Sequence, residues 1–192
     1  TTHWYYANSK GEITIPTADG EVGVAKTIDG KSYLFNSDGE MVTGLRILTY
    51  DGSKITNISS GVDSVDTVKN MNSDTMKLVY FESNGAAKTG TTTITLDGTS
   101  YTFSFKSNGS PRGVGETGIS DGYIYQNGLR LTADEDTKYG VVTYKNESYV
   151  VNEKGSIQKN KKNLKDADET YYCTNPKGIL LHSSTEKCTT KH

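Results

Sequence analysis

The sequence predicts an all-β fold, an elongated array (solenoid) of short β-hairpin repeats with a divergent insertion around residues 45–76. Three observations lead there. A short aromatic segment followed by polar residues and a glycine recurs along the chain. Asp-Gly pairs stand before several of these segments. The composition is thin in core-forming residues, at 33% hydrophobic, with 20 Gly and 13 Tyr against 4 Phe and 1 Trp in 192 residues. Glycine at this level implies many turns. Tyrosine brings apolar area with a polar tip, which suits surfaces that are only half buried.

The aromatic segments run as follows. Trp4-Tyr5-Tyr6 leads to Gly11, Tyr33-Leu34-Phe35 to Gly39, Tyr80-Phe81 to Gly85, and Phe103-Ser104-Phe105 to Gly109. Tyr123-Ile124-Tyr125 leads to Gly128, Tyr149-Val150-Val151 to Gly155, and Tyr171-Tyr172-Cys173 to Gly178. These glycines are 28, 46, 24, 19, 27 and 23 residues apart. Apart from the one long gap, the spacing of roughly 20–30 residues is that of stacked supersecondary units.

A second turn precedes several segments: Asp29-Gly30, Asp97-Gly98 and Asp121-Gly122, with Asn146-Glu147 in the same place. Asp-Gly between β-prone runs signals a type I′ hairpin, because both central residues need positive φ. After the turn, Tyr101, Phe103 and Phe105 alternate with Thr102, Ser104 and Lys106, the period of a half-buried strand. A lone hairpin is marginal in water. Tyr33, Phe35, Tyr101 and Phe103 are therefore expected to pack one hairpin on the next.

The long gap falls between Leu45 and Met76. Tyr50-Asp51-Gly52-Ser53 keeps a hairpin signal there, and Ser64–Met71 has apolar residues at helical spacing. The expected organisation is hairpin repeats over 1–44, a divergent insertion or degenerate repeat over 45–76, and hairpin repeats over 77–192. Cys173 and Cys188 would close a short C-terminal loop as a disulfide, worth about 3 kcal/mol on the chain-entropy model.

The segment Ile28-Asp29-Gly30-Lys31-Ser32-Tyr33-Leu34-Phe35-Asn36-Ser37-Asp38-Gly39-Glu40-Met41-Val42-Thr43-Gly44 resembles one unit of the cell-wall-binding repeats. These are also called choline-binding or glucan-binding repeats, from surface proteins and toxins of Gram-positive bacteria. The match is partial at 77–90 and 94–113 and skeletal elsewhere. The resemblance implies a β-hairpin solenoid, retention at the cell envelope, and choline-bearing or glycan ligands. Choline-binding units of that family place Trp after the closing Thr-Gly and before the aromatic pair. Here Leu45, Thr91 and Ser32 stand in those places. A quaternary ammonium cage needs several aromatic faces, with Trp the best, so the architecture carries over better than the ligand.

Other motifs point to turns rather than chemistry. Gly113-Val114-Gly115-Glu116-Thr117-Gly118 matches the dinucleotide fingerprint in letters, but a hairpin follows it where a helix should. Asn36-Ser37-Asp38-Gly39 resembles a calcium loop whose first and twelfth positions, Leu34 and Leu45, lack oxygen ligands. Cys173, His182, Cys188 and His192 are zinc-ligand types at spacings that match no usual finger or ribbon. No catalytic constellation, metal or cofactor is expected. The formal charge of −2, from 21 basic and 23 acidic residues, offers no general attraction to nucleic acid or membrane surfaces. No apolar run is long enough to insert as a membrane span. Lys159–Lys165, the one basic run, reads as a solvated turn that could meet teichoic-acid phosphate.

The expected function is a non-catalytic module binding cell-wall polysaccharide, teichoic acid or host glycan. It would anchor a larger secreted surface protein, with an upstream domain, at the extracellular face of the wall. The alternative is a spacer that presents the upstream domain and has lost its pockets. Trp4, Tyr5 and Tyr6 are the candidate ligand-binding residues.

Overall fold

The structure is a computed structural model that describes residues 2–109 and 112–189. It separates into two units, one of Thr1–Glu116 with Asn127–Leu129 and one of Thr117–Gln126 with Arg130–His192. The first contains β1 (Gly23–Ile28), β2 (Lys31–Asn36), β3 (Gly44–Asp51), β4 (Lys54–Ile58), α1 (Val65–Lys69), β5 (Met76–Phe81), β6 (Gly90–Leu96) and β7 (Thr99–Phe105). The second contains β8 (Gly118–Ser120) and β9 (Tyr123–Gln126). After the short β10 (Leu129–Arg130) come β11 (Tyr139–Tyr144), β12 (Glu147–Asn152), β13 (Leu164–Lys165), β14 (Tyr171–Thr174) and β15 (Leu180–Ser184). The described residues are thus all-β but for one short helix, and their strand pairs are antiparallel, most of them hairpins, with β3–β5 and β1–β4 joining strands not consecutive in the chain.

The two-residue turns follow the sequence signals. Asp29 and Gly30 have φ of 49° and 77°, Asp97 and Gly98 have 47° and 78°, and Asp121 and Gly122 have 51° and 82°. This left-handed pair matches the twist of the flanking strands. One turn differs from the sequence reading. Tyr144 pairs with Glu147, so the central residues are Lys145-Asn146, with φ of 48° and 63°, and not Asn146-Glu147. Asn tolerates the left-handed region, and its neighbour is drawn in by the register.

In four repeats the second turn is a five-residue loop opened by Asn. The Asn36 Oδ1 accepts from the backbone N–H of Asp38 and Glu40, while Gly39 N–H returns to the Asn36 carbonyl. Asn8, Asn152 and Asn175 repeat this arrangement with Lys10 and Glu12, Lys154 and Ser156, and Lys177 and Ile179. Asp166 does the same with Asp168 and Thr170, and Glu169 takes the glycine's place at φ 65°. The side chain thereby satisfies amides that a short loop would otherwise leave unpaired. Gly128, grouped with the closing glycines by sequence, is instead the second member of a left-handed pair with Asn127.

The closing glycine is required twice over. Gly39 has φ 79° and packs on Ile13; Gly85 has φ 82° and packs on Met41; Gly178 has φ 89° and packs on Ile157. In each case the partner is the fifth residue after the opening Asn of the preceding loop. A Cβ there would collide with it as well as strain the backbone. These contacts join one repeat to the next within a unit.

Burial follows the aromatic strands. Phe35, Phe103 and Phe105 are essentially inaccessible, whereas Tyr33 and Tyr101 stay half exposed. Phe103 stacks on Phe105 with centroids 6.2 Å apart. The alternation along β7 is not a dry face and a wet face throughout. Ser104 is also buried, its N–H donating to the Gly128 carbonyl and its carbonyl accepting from Glu116 N–H. Within residues 45–76, Asp51 pairs with Lys54 across Gly52-Ser53. Ser64 caps α1 by accepting from Asp66 N–H. Asn127 ties α1 down, donating to the Val68 carbonyl and accepting from Ser73 Oγ.

In the second unit, Cys173 and Cys188 form a disulfide across 15 residues, with Cα atoms 6.6 Å apart. Tyr172 donates its phenol to Asp166 Oδ2 at 2.8 Å. Burial first, then this bond, pushes the phenol up to about 12.

Candidate functional site

Three sets of residues lie where a ligand could reach them. The first surrounds Trp4. The indole is 66% exposed and the Tyr5 ring 51%. Backbone bonds fix this segment: the Trp4 carbonyl accepts from Met41 N–H and the Tyr6 carbonyl from Thr14 N–H. His3 Nδ1 lies 2.9 Å from Glu40 beside it. Tyr6 takes a different role from its two neighbours. Its ring packs 6.3 Å from that of Phe35, and Lys26 Nζ sits 4.2 Å over its centroid. The three aromatic residues do not form one platform. Trp4 and Tyr5 are open, whereas Tyr6 joins the packing between repeats.

The same pattern of self-covered tyrosine recurs in the second unit. The Arg130 guanidinium lies 3.7 Å over Tyr123 and donates to the Tyr125 hydroxyl at 2.9 and 3.2 Å. Lys138 covers Tyr139, Lys145 covers Tyr144, and both Lys165 and Lys187 face Tyr171. A cation over a ring occupies the negative face that a quaternary ammonium would use. These rings are therefore already engaged by the chain's own charges. In the basic run, Lys165 also pairs with Glu169 at 2.8 Å, which raises the lysine's pKa and lowers the glutamate's.

The second set is an open groove of about 630 Å³ in the first unit. Its lining includes apolar Val24 and Ile55 and the half-buried Tyr50, whose phenol is held above its ordinary value by burial. It also includes the charged side chains of Glu21, Asp74 and Lys77. One ring on which to stack, with carboxylates and an ammonium around it, suits the apolar face and hydroxyl edge of a sugar. Tyr50 lies in the segment where the aromatic repeat breaks, and its hairpin signal there marked a turn rather than a ligand contact.

The third set is a cleft of about 200 Å³ lined by Lys31, Ser32, Glu82, Lys88, Thr89 and Arg112 among others. Ser32 is the structural counterpart of Trp4. Each stands four residues before an opening Asn, and the Ser32 carbonyl accepts from Ala87 N–H as that of Trp4 accepts from Met41 N–H.

No metal site emerges from these groups. Among the described residues, no cluster of three or more His, Cys, Asp or Glu side chains could hold an ion. Cys173 and Cys188 are consumed by their disulfide, and His182 Nε2 lies 2.9 Å from the Glu186 carbonyl. His192 lies outside the described residues. No helix among the described residues is long and apolar enough to cross a membrane.

Comparison with solved structures places the fold. The chain is similar to choline binding protein F from Streptococcus pneumoniae, with 21% identity, a TM-score of 0.53, and coverage of 94% of this chain and 44% of that one. A structure of the same protein in the presence of a peptidoglycan analogue, a tetrasaccharide-pentapeptide, gives 22% identity and a TM-score of 0.52 over the same shares. CbpJ from Streptococcus pneumoniae TIGR4 gives 18% identity and a TM-score of 0.51, covering 92% of this chain and 62% of that one. The chain thus spans less than two thirds of each of these proteins. The resemblance read from Ile28–Gly44 holds at the level of fold. No protein-family model and no curated relative matches the chain.

Proposed function

We propose that this chain is a non-catalytic binding module that holds a larger secreted protein at a cell-wall polysaccharide, in the extracellular space. The observation that carries this reading is the open groove around Tyr50, a ring with charged neighbours on a hairpin scaffold. The equivalent inter-repeat bonds at Trp4 and Ser32, and the packing of Gly39, Gly85 and Gly178 on preceding residues, support stacking of successive hairpin repeats within each unit. In that reading residues 45–76 are a degenerate repeat. Trp4 and Tyr5 would supply a second contact. Such sites are individually weak and gain from being linked.

Choline is a poor candidate ligand. Six of the 13 tyrosine rings that could help surround it, Tyr6, Tyr123, Tyr125, Tyr139, Tyr144 and Tyr171, carry Lys26, Arg130, Lys138, Lys145, Lys165 or Lys187 instead. The same observation favours the second reading, a spacer whose rings serve cohesion only.

Sedimentation with purified cell walls, beside calorimetry with choline and with neutral oligosaccharides, tests both. The binding reading expects sedimentation that falls severalfold in Tyr50→Ala and in Trp4→Ala, with little choline heat. Trp4 is exposed, so its variant keeps the fold. No sedimentation with any wall preparation leaves the spacer; tight choline binding overturns the ligand assignment.

A further inference from the structure

The cleft beside Ser32 has a character opposite to an ammonium cage. Lys31, Lys88 and Arg112 contribute three cations to its lining and Glu82 one carboxylate. Lys88 Nζ is committed to Glu82 at 3.3 Å. Among the described residues Arg112 donates to the Gly30 carbonyl alone, at 3.4 Å, and to no other partner there. Among the described residues, no carboxylate forms an ion pair with Lys31 or Arg112. Hydroxyls of Ser32, Thr89 and Ser107 complete the wall. The room exists because the position that carries an indole at Trp4 carries a small hydroxyl here.

We infer that this cleft binds an anionic group of the polymer, a phosphodiester or a sugar carboxylate. The inference rests on the binding reading above and names the chemistry of one of its contacts. Both groups present two or more oxygens to the planar Arg112 fork and to the Lys31 ammonium. A net positive lining in a half-enclosed space also attracts such a group before contact. Glu82 opposes it and holds Lys88 away, so Glu82 sets an upper limit on affinity.

The test uses the intact chain with three immobilised probes: poly(glycerol phosphate), polygalacturonate and neutral dextran. The inference expects at least one anionic polymer to bind more tightly than dextran and to weaken as salt rises. In the Lys31→Gln/Arg112→Gln double variant that affinity falls roughly tenfold, as expected for the loss of two charge-assisted contacts, with dextran binding unchanged. Glu82→Gln strengthens it. The single variant Lys31→Glu, at the exposed start of β2, gives the same loss without touching Arg112. Preference for the phosphate or the carboxylate polymer identifies the source, and either supports the inference. Equal affinity for charged and neutral polymers, or a double variant that binds anions as the parent does, overturns it. If wall sedimentation survives that result, the binding reading stands alone. If no wall and no polymer binds, both fall.

Discussion

The two units hold hairpins together by different chemistry. All four phenylalanines, Phe35, Phe81, Phe103 and Phe105, lie in the first, and none is more than 3% exposed. The second has an aliphatic centre of Ile124, Ala133, Val151 and Ile157. It adds the Cys173–Cys188 disulfide, the Asp166–Tyr172 bond and the cations laid over its tyrosines. Repeats that lack large apolar rings thus gain cohesion from a cross-link and polar clamps. Rings used as clamps are lost to ligands. The open groove at Tyr50 and the cationic cleft at Ser32 accordingly both belong to the unit that keeps its cohesion in phenylalanine.

The strongest way to break this comparison is Phe103→Ala. A fully buried ring leaves a cavity, and the expected cost is about 3–5 kcal/mol. Hydrogen exchange should show protection lost across Gly90–Phe105 while Glu147–Asn152 keeps its own. Equal loss in both segments would mean that the units do not differ in what stabilises them. Next in size is removal of the disulfide. Cys173→Ser with Cys188→Ser should cost about 3 kcal/mol, with exchange rising in Tyr171–Thr174 and Leu180–Ser184. Thiol titration of the denatured, unreduced parent should find no free sulfhydryl.

What was legible in the sequence was what short-range chemistry dictates. Asp-Gly requires a left-handed pair, so the turns at Asp29, Asp97 and Asp121 could be placed to the residue. Lys145-Asn146 could not, because strand register rather than residue type pulls Lys145 to positive φ. The opening Asn of each loop was in plain view as Asn-x-x-Gly at Asn8, Asn36, Asn152 and Asn175. Its bonding role shows only once the loop is closed. The sites were harder to see. Tyr50 lies beside a hairpin turn and Lys88 and Arg112 in partially matching repeats, but none stands at an aromatic or turn position that the repeat marks, and the groove and cleft arise from residues far apart in the chain. Tyr6 was named with Trp4 and Tyr5 as a candidate ligand-binding residue because sequence adjacency cannot tell which ring turns toward Phe35.

A smaller effect tests the clamps. Arg130→Gln removes the cation from Tyr123 and two hydrogen bonds from the Tyr125 hydroxyl. The expected cost is about 1–2 kcal/mol, confined to the second unit. If the clamp is also what closes these faces, calorimetry with choline should detect weak heat in the variant and little in the parent. A variant as stable as the parent would reduce the contact to mere proximity.

The smallest effect separates the units by pH. The Tyr172 phenol rises from the ordinary 10.0 to about 12 because burial, and then its bond to Asp166, favour the neutral form. A raised folded-state value means that the folded chain holds this proton more tightly than the unfolded one. The resulting stability is fully present below about pH 10 and is lost as pH climbs toward 12. Tyr50 shifts in the same direction through burial alone, in the first unit. Tyr172→Phe should therefore flatten the alkaline loss of stability in the second unit and leave that of the first unchanged. Tyr50→Phe should do the reverse. Lysines titrate in the same range, so the readable quantity is the difference between parent and variant, followed by exchange in Tyr171–Thr174 and in Gly44–Asp51. An alkaline profile that Tyr172→Phe leaves untouched would show that the Asp166–Tyr172 bond holds no proton against the solvent.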